Sequence, residues 1–452
     1  MRKRAIQRGI QRSAEHCTRS AYERITALAE QRAVHEAFRW FHLHHQQLLR
    51  DQAELVAIPA PPFAESARSE WIAARFALFG LESVITDAVG NVMARLPLSA
   101  AVEANRSPRV VLLSAHLDTV FPIETPLAPA LREDRLEAPG ACDNATGVIG
   151  LLAIAQAMLA ANLQPAAELW FVGNVGEEGE GDLRGMRHLY QHAPFRSRIA
   201  SHIVLDGAGA ESAVTQALGS RRFQVRITGP GGHSFTDAGT ANPILALSDA
   251  LTRLAAAAQP SEANRTTFSV GTIHGGTSVN SIPESASATI DFRSTDPADL
   301  LRLEVMLHRV VEDAVDLTNA AAKDSAQRRQ AAFTPLRSVI EKIGDRPTGA
   351  LPDDSPLLET LRAVDRHLQL RTDPRLGSTD ANWPLSLGIP AISLGAGGEG
   401  GSPHTRAEWY SATNRELGLK RILLLTLAML EDAAHSAIAH IDSVPAAAPF
   451  NP

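Results

Sequence analysis

Val110-Val111-Leu112-Leu113-Ser114-Ala115-His116-Leu117-Asp118-Thr119 is the stretch on which the fold turns. Four apolar residues run without a polar interruption from Val110 to Leu113. Such a run predicts a strand buried on both faces, as in a parallel sheet covered by helices. The run then ends in polar chemistry. His116 and Asp118 straddle Leu117, and the period of two along a strand points both side chains the same way. In open α/β sheets, ligands bind at the carboxyl ends of strands.

The same grammar recurs along the chain. Leu169-Trp170-Phe171-Val172 precedes Gly176-Glu177-Glu178-Gly179, and Ile203-Val204-Leu205 precedes Asp206-Gly207. Ile389 to Leu394 precedes Pro403-His404-Thr405. Helix composition runs from Val148 to Leu159 and from Leu183 to His192, so strands and helices alternate. Cys142-Asp143-Asn144 lies in a loop that opens the first of these helices. Four strands would deliver their tips to one sheet edge, where His116 and His404 can meet although they lie ~290 positions apart.

Each motif alone has a plain reading. His116-Leu117-Asp118 matches a common surface pair, Asp143 a helix N-cap, and Glu177-Glu178 a solvated acidic loop. Their conjunction after strands is what carries weight. Together they supply two imidazoles and five carboxylates. That suffices for a two-metal site with a spare carboxylate as general base. Adjacent carboxylates repel unless cations or protons separate them. A division into one ligand, Glu178, and one base, Glu177, resolves the repulsion. Asp118 is suited to accept a hydrogen bond from a ligand imidazole and fix its tautomer.

The remaining sequence bounds the setting. At 452 residues the chain is too long for one ordinary core, and two domains are expected. The formal charge of −7 argues against nucleic acid as a partner. Cys17 and Cys142 make no disulfide framework or paired-Cys zinc pattern. The polar start at Met1-Arg2-Lys3-Arg4 has no apolar h-region after it and reads as a solvated helix. No apolar run reaches the ~18 residues of a membrane span. A cytoplasmic protein is the expectation.

Residues 20–57 read as helical, with Leu28, Val34, Phe38, Phe41 and Leu48 on one face, until Ile58-Pro59-Ala60-Pro61-Pro62 breaks the pattern. A helix with Trp71, Ile72, Phe76 and Leu78 follows, then two β-like runs about Val89-Gly90-Asn91. Residues 219–345 read differently, as β-α-β-β-α-β. The elements are Arg222 to Thr228, Asn242 to Ala258, Thr267 to Ile273, Ser287 to Arg293, Pro297 to Asn319 and Leu336 to Ile343. The polar stretch 321–330 is expected to be a loop, and the tail from Val444 to be disordered. The expected fold is α/β: a sheet domain over 1–217 and 347–452, with helices on both faces, and an inserted ferredoxin-like domain over 218–346.

No Gly-x-Ser-x-Gly nucleophile elbow is present. Gly395-Ala396-Gly397-Gly398-Glu399-Gly400 matches a dinucleotide pattern, but Ser402-Pro403-His404 follows rather than an apolar helix face.

With these motifs in view, the chain resembles the two-zinc metallopeptidases that include peptidase T, carnosinase-type dipeptidases, carboxypeptidase G, acetylornithine deacetylase and aminoacylase. Ser114 to Val120, Glu177-Glu178-Gly179, Gly231-Gly232-His233-Ser234, Gly377-Ser378-Thr379-Asp380-Ala381-Asn382 and Ser402-Pro403-His404 carry the resemblance, which spans Ile58 to about Tyr410. It implies His116, Asp143, Glu178, Asp206 and His404 as ligands of two divalent metals, zinc foremost and manganese or cobalt as substitutes. Asp143 would bridge, with a cis peptide after it. Asp118 would orient His116, and Glu177 would be the base. The inserted domain would serve as lid and homodimer interface, with His233 reaching a neighbouring active site to stabilise the oxyanion. Asn280 and Arg293 would bind substrate, although Arg293 also reads as a structural ion pair.

Asp206 stands where deacylases and carboxypeptidases of the family have Glu, while peptidase T and the dipeptidases have Asp. The expected activity is therefore hydrolysis of small peptides, of aminopeptidase, di- or tripeptidase type. The alternative is an N-acyl-amino-acid deacylase on the same site. Outside the enzyme class stands a non-catalytic metal- or peptide-binding protein.

Overall fold

The computed structural model of the chain describes residues 20–103, 108–258, 262–263 and 265–435. The helix expected near the start and the tail expected from Val444 lie outside them. The chain parts between Thr215 and Gln216 and again between Gly349 and Ala350, giving two compact units.

In the first unit, Val110–His116 is buried at every position. It pairs in parallel with Glu168–Asn174 on one side and Ile199–Leu205 on the other. Ala391–Leu394 continues the parallel run beyond Ile199–Leu205. The hairpin of Glu82–Thr86 and Val92–Arg95 joins antiparallel at the Glu168–Asn174 side, and Ser212–Ala217 joins antiparallel beyond Ala391–Leu394. Alternate residues serve opposite faces. Leu112, Trp170 and Val172 pack with Met186, Leu189 and Phe195 on one face. Phe171 turns the other way and meets Phe76 of the helix Ser66–Phe79, with ring centroids 6.5 Å apart. This is the doubly covered sheet that the uninterrupted apolar runs require.

The stretch from residue 20 forms three helices rather than one, Ala21–Ala29, Arg32–Leu43 and His45–Val56. Gln31 is extended (φ −66°, ψ 135°) and His44 leaves the helical region (φ −104°, ψ 9°), so the axis turns twice. Leu28, Val34, Phe41 and Leu48 are buried as their spacing predicts.

A second, antiparallel sheet was not foreseen. It orders Glu399–Gly401, Trp409–Ser411, Arg135–Glu137 and Ala130–Arg132. Each strand has only three residues, too short for a period of two to register. Its glycines are there for packing. Gly398 has φ +77°, and a Cβ on it would collide with the ring of Tyr410.

The second unit is an antiparallel sheet in the order Thr267–Gly275, Ser285–Ser294, Gly219–Thr228, Arg337–Arg346. Pro243–Ala257 and Pro297–Arg329 pack against it through Leu247, Leu254, Leu303, Leu307, Phe223 and Phe292. The loop expected over 321–330 is instead the last turns of the long helix. Ala314, Ala322 and Ala326 continue its buried face at multiples of four. Alanine, the best helix former, also lowers the cost of extending it. The helix ends at Gln330, which is left-handed (φ 54°, ψ 35°). Among the described residues, no helix is long and apolar enough to cross a membrane.

Candidate metal centre

His116 is the last residue of its strand, and its Nε2 lies 3.1 Å from Asp143 Oδ1 and 3.7 Å from Asp206 Oδ1. His404 Nε2 lies 3.1 Å from Asp143 Oδ2 and 3.0 Å from Glu178 Oε1. The two oxygens of Asp143 thus face different imidazoles. The donors form two groups, His116–Asp143–Asp206 and Asp143–Glu178–His404, each with its atoms within 4.8 Å of one another. Glu177 falls in a further group with His116 and Glu178.

Local chemistry holds these residues in place. Asp206 follows Ile199–Leu205 directly, and its N–H donates to the Leu394 carbonyl at 2.8 Å. Asn144 caps the next helix by accepting from Gly147 N (3.0 Å), and it also accepts from Gly207 N (3.1 Å). Its Nδ2 donates to the Leu205 carbonyl at 2.9 Å, so the Asp143 loop rests on the Asp206 turn. The Asp143–Asn144 peptide bond is cis. His404 sits in the hairpin between Glu399–Gly401 and Trp409–Ser411, with φ +63°. The small sheet therefore places His404, and pairs it with the chain that leads to Asp143.

Asp118 has a wider reach than its spacing suggests. Its carboxylate accepts the backbone N–H of Glu177 at 3.0 Å and of Glu178 at 2.7 Å. The same carboxylate is 3.7 Å from His116 Nδ1, while the Asp118 carbonyl is 3.1 Å away. The carbonyl is thus the nearer of the two Asp118 acceptors that face His116, and the side chain fixes the two-glutamate turn as well.

The electrostatics call for cations. Burial alone would keep His116 neutral, but hydrogen bonding to Asp118, Asp143 and Asp206 raises its pKa well above the ordinary value. Hydrogen bonds to Asp143 and Glu178 raise His404 to about 10. Burial would push Asp143 up, yet the two histidines hold it well below the usual carboxylate range. Three carboxylates converging on two imidazole nitrogens, all oxygen and nitrogen donors, fit a pair of divalent cations of the zinc, manganese or cobalt type.

Several neighbours went unread in the sequence. Asp380, within the quoted Gly377 to Asn382 motif, is buried and accepts from Asn174 Nδ2 at 2.7 Å. Burial pushes its carboxyl up to about 7. Asn174 is the register partner of His116 on the adjacent strand. Arg68 is fully enclosed and donates to the carbonyls of Ile58 (2.9 Å) and Leu117 (2.8 Å). Glu408 is buried as well and binds the backbone of the Asp143 loop. No spacing rule marks such residues: Arg68 and Glu408 act through backbone groups, and Asp380 through the side chain of Asn174 on a strand 206 positions away in sequence. Cys142 is a free, buried cysteine. Burial pushes its pKa up to about 12, and it packs on Gly400.

In the second unit, His233 and Asn280 are brought together. Gly232–His233 pairs with Ser281–Ile282, and Ser234 N donates to the Asn280 carbonyl at 3.0 Å. His233 Nδ1 accepts from Phe235 N at 3.1 Å, which leaves Nε2 to carry the N–H of the exposed ring. Arg293 is elsewhere. It lies eight residues along Ser285–Ser294 from the end beside that ribbon, about 26 Å at strand rise. Its Nε donates to Asp291 Oδ2 at 2.7 Å.

Comparison with known proteins follows the same lines. The profile of the peptidase family M20/M25/M40 matches residues 112–428. A protein of Mycobacterium tuberculosis (strain CDC 1551 / Oshkosh) with the provisional name succinyl-diaminopimelate desuccinylase DapE is 30% identical over 306 residues, 66% of this chain and 77% of that protein. A tripeptidase of Staphylococcus aureus superposes with a TM-score of 0.66 at 20% identity, covering 86% of this chain and 99% of its own. The YXEP protein of Bacillus subtilis, described as a dinuclear metal binding peptidase, superposes at 0.61 with 14% identity, covering 86% and 99%.

Proposed function

The chain belongs to the peptidase family M20/M25/M40, and from that premise we propose that it hydrolyses the amide bond of small peptides, as an aminopeptidase of di- or tripeptidase type. The observation that carries the reading is the shared carboxylate of Asp143, one oxygen toward each imidazole, with Glu177 beside the pair. A merely metal-binding protein has no need of that extra glutamate. His116, Asp143 and Asp206 would hold one cation, and Asp143, Glu178 and His404 the other, with zinc the native metal. When bound, such a pair supplies the Lewis acidity that deprotonates water near neutral pH and polarises the scissile carbonyl.

The protein's own groups do the rest. Glu177 takes a proton from the attacking water as its oxygen bonds to the carbonyl carbon. It delivers that proton to the amine nitrogen as the C–N bond breaks. The Asp118 carboxylate holds the Glu177 amide, so the base stays next to its ligand neighbour. His233, exposed on its ribbon, would donate from Nε2–H to the oxyanion in the neighbouring site of a homodimer. Asn280, on the same ribbon, and Arg293, about 26 Å away along its strand, would contact substrate in different sites of the homodimer. Thr267–Gly275, an edge strand with Val270 and Ile273 exposed, supplies the dimer surface.

The desuccinylase name of the mycobacterial relative favours a second reading, an N-acyl-amino-acid deacylase. Two matched panels separate them: free di- and tripeptides, and N-acylated amino acids, incubated with metal-loaded protein and read by mass spectrometry. Cleavage confined to the free-amine panel is expected. Cleavage confined to the acylated panel would replace the peptidase reading and show that Asp206 does not report substrate class.

A further inference from the structure

Glu408 is 1% exposed and lies four residues beyond His404. Its Oε1 accepts the backbone N–H of Cys142 at 2.8 Å and of Asp143 at 2.7 Å, and its Oε2 accepts that of Gly140 at 2.9 Å. Its carbonyl accepts Ala138 N at 3.1 Å. One residue thus grips the whole loop from Ala138 to Asp143. The next residue, Trp409, begins the strand that pairs with Arg135–Glu137. The grip therefore closes a ring: His404 hairpin, small sheet, Asp143 loop, and back to the hairpin through Glu408.

A carboxylate is the one side chain suited to this. It has no hydrogen to donate and about four lone-pair sites, so it can take three amides at once. A buried anion is costly to desolvate, and a neutral side chain would staple a loop more cheaply. Burial raises its pKa, and the three backbone N–H groups that it accepts oppose that rise.

We propose that Glu408 is a positioning residue for the metal pair. It fixes the bridging Asp143 against His404 and so sets the affinity of the group Asp143–Glu178–His404, the one that spans both loops. The proposal rests on the ligand assignment given above.

The test is zinc titration by calorimetry, with stoichiometry by metal analysis, on wild type, Glu408→Gln and Glu408→Asp. The amide of Gln turns a donor toward one of the three N–H groups, while Asp keeps the charge but falls a methylene short. Both variants are expected to weaken one of the two zinc equivalents by about 10- to 100-fold and the other by less. Thermal unfolding of the metal-free proteins is measured alongside. Ile25→Ala, in the N-terminal helix, serves as a variant that loses stability but keeps both affinities. Wild-type affinity at both equivalents in the Glu408 variants overturns the proposal, as does an equal loss at both. Fewer than two equivalents in wild type would overturn the ligand assignment itself, and the clamp with it.

Discussion

Glu177 and Glu178 are chain neighbours that share an anchor and differ in what they face. Both amides end on Asp118, but Glu178 Oε1 lies 3.0 Å from His404. Glu177→Gln keeps the anchor and the shape and removes only the proposed proton acceptor. Turnover is expected to fall by at least about 100-fold while metal content, measured by mass spectrometry, stays at the wild-type value. Wild-type turnover in that variant would sink the assignment of the base. His202 offers a test of a different kind. Its Nε2 is 2.8 Å from Ser114 Oγ and its Nδ1 2.9 Å from the Tyr190 hydroxyl. Burial lowers its pKa to about 3, against 6.5 in the unfolded chain. A depressed folded value means stability that is whole above pH 6.5 and drains away as pH falls toward 3. By pH 5 the loss from this residue is roughly 2 kcal/mol. His202→Gln should unfold with a flatter dependence on pH between 7 and 5 than wild type, as read by calorimetric Tm. Parallel curves would mean that His202 does not set the acid limb.

At the scale of elements, what the sequence made legible followed the length of the repeat. The strands Val110–His116, Glu168–Asn174 and Ile199–Leu205 span seven residues each and announce themselves by composition. Their polar ends, His116, Glu177, Glu178 and Asp206, could be read with them. Asp143 was read in a loop that opens a helix and His404 in a loop after a strand, but not what holds those loops. Their loops are organised by three-residue strands, two of the three residues of Glu399–Gly401 being glycine, which composition reports as turn. Polarity misled in the other direction at 321–330, where a helix face exposed to water looks like a loop unless Ala322 and Ala326 are seen as its inner stripe. Asn319 reinforces the helix there, accepting Leu336 N at 2.7 Å. Ala322→Gly is therefore expected to cost about 1 kcal/mol in urea unfolding, where the same change in a loop would cost close to nothing.

At the scale of the molecule, the division into two units separates the donor groups from His233 in sequence. If His233 serves a neighbouring site, two inactive variants can complement each other. Glu177→Gln and His233→Ala proteins, mixed and allowed to exchange subunits, should recover up to about a quarter of wild-type activity. This follows because half the dimers are mixed and each of those holds one intact site. No recovery, with exchange verified by mass, would confine His233 to its own protomer.

The order of the chain adds a constraint on how the protein is made. Four of the five donor residues precede Gln216, and His404 lies beyond Gly349. The strand Ala391–Leu394, whose Leu394 carbonyl receives the Asp206 amide, also comes late. During synthesis the ribosome must therefore release the entire intervening unit before the sheet gains its parallel neighbour. Until then Ile199–Leu205 is a bare, apolar edge of the kind that recruits chaperones or aggregates. A nascent chain stalled inside the insert should be held by such factors. It should take up metal only through the group that His404 does not complete.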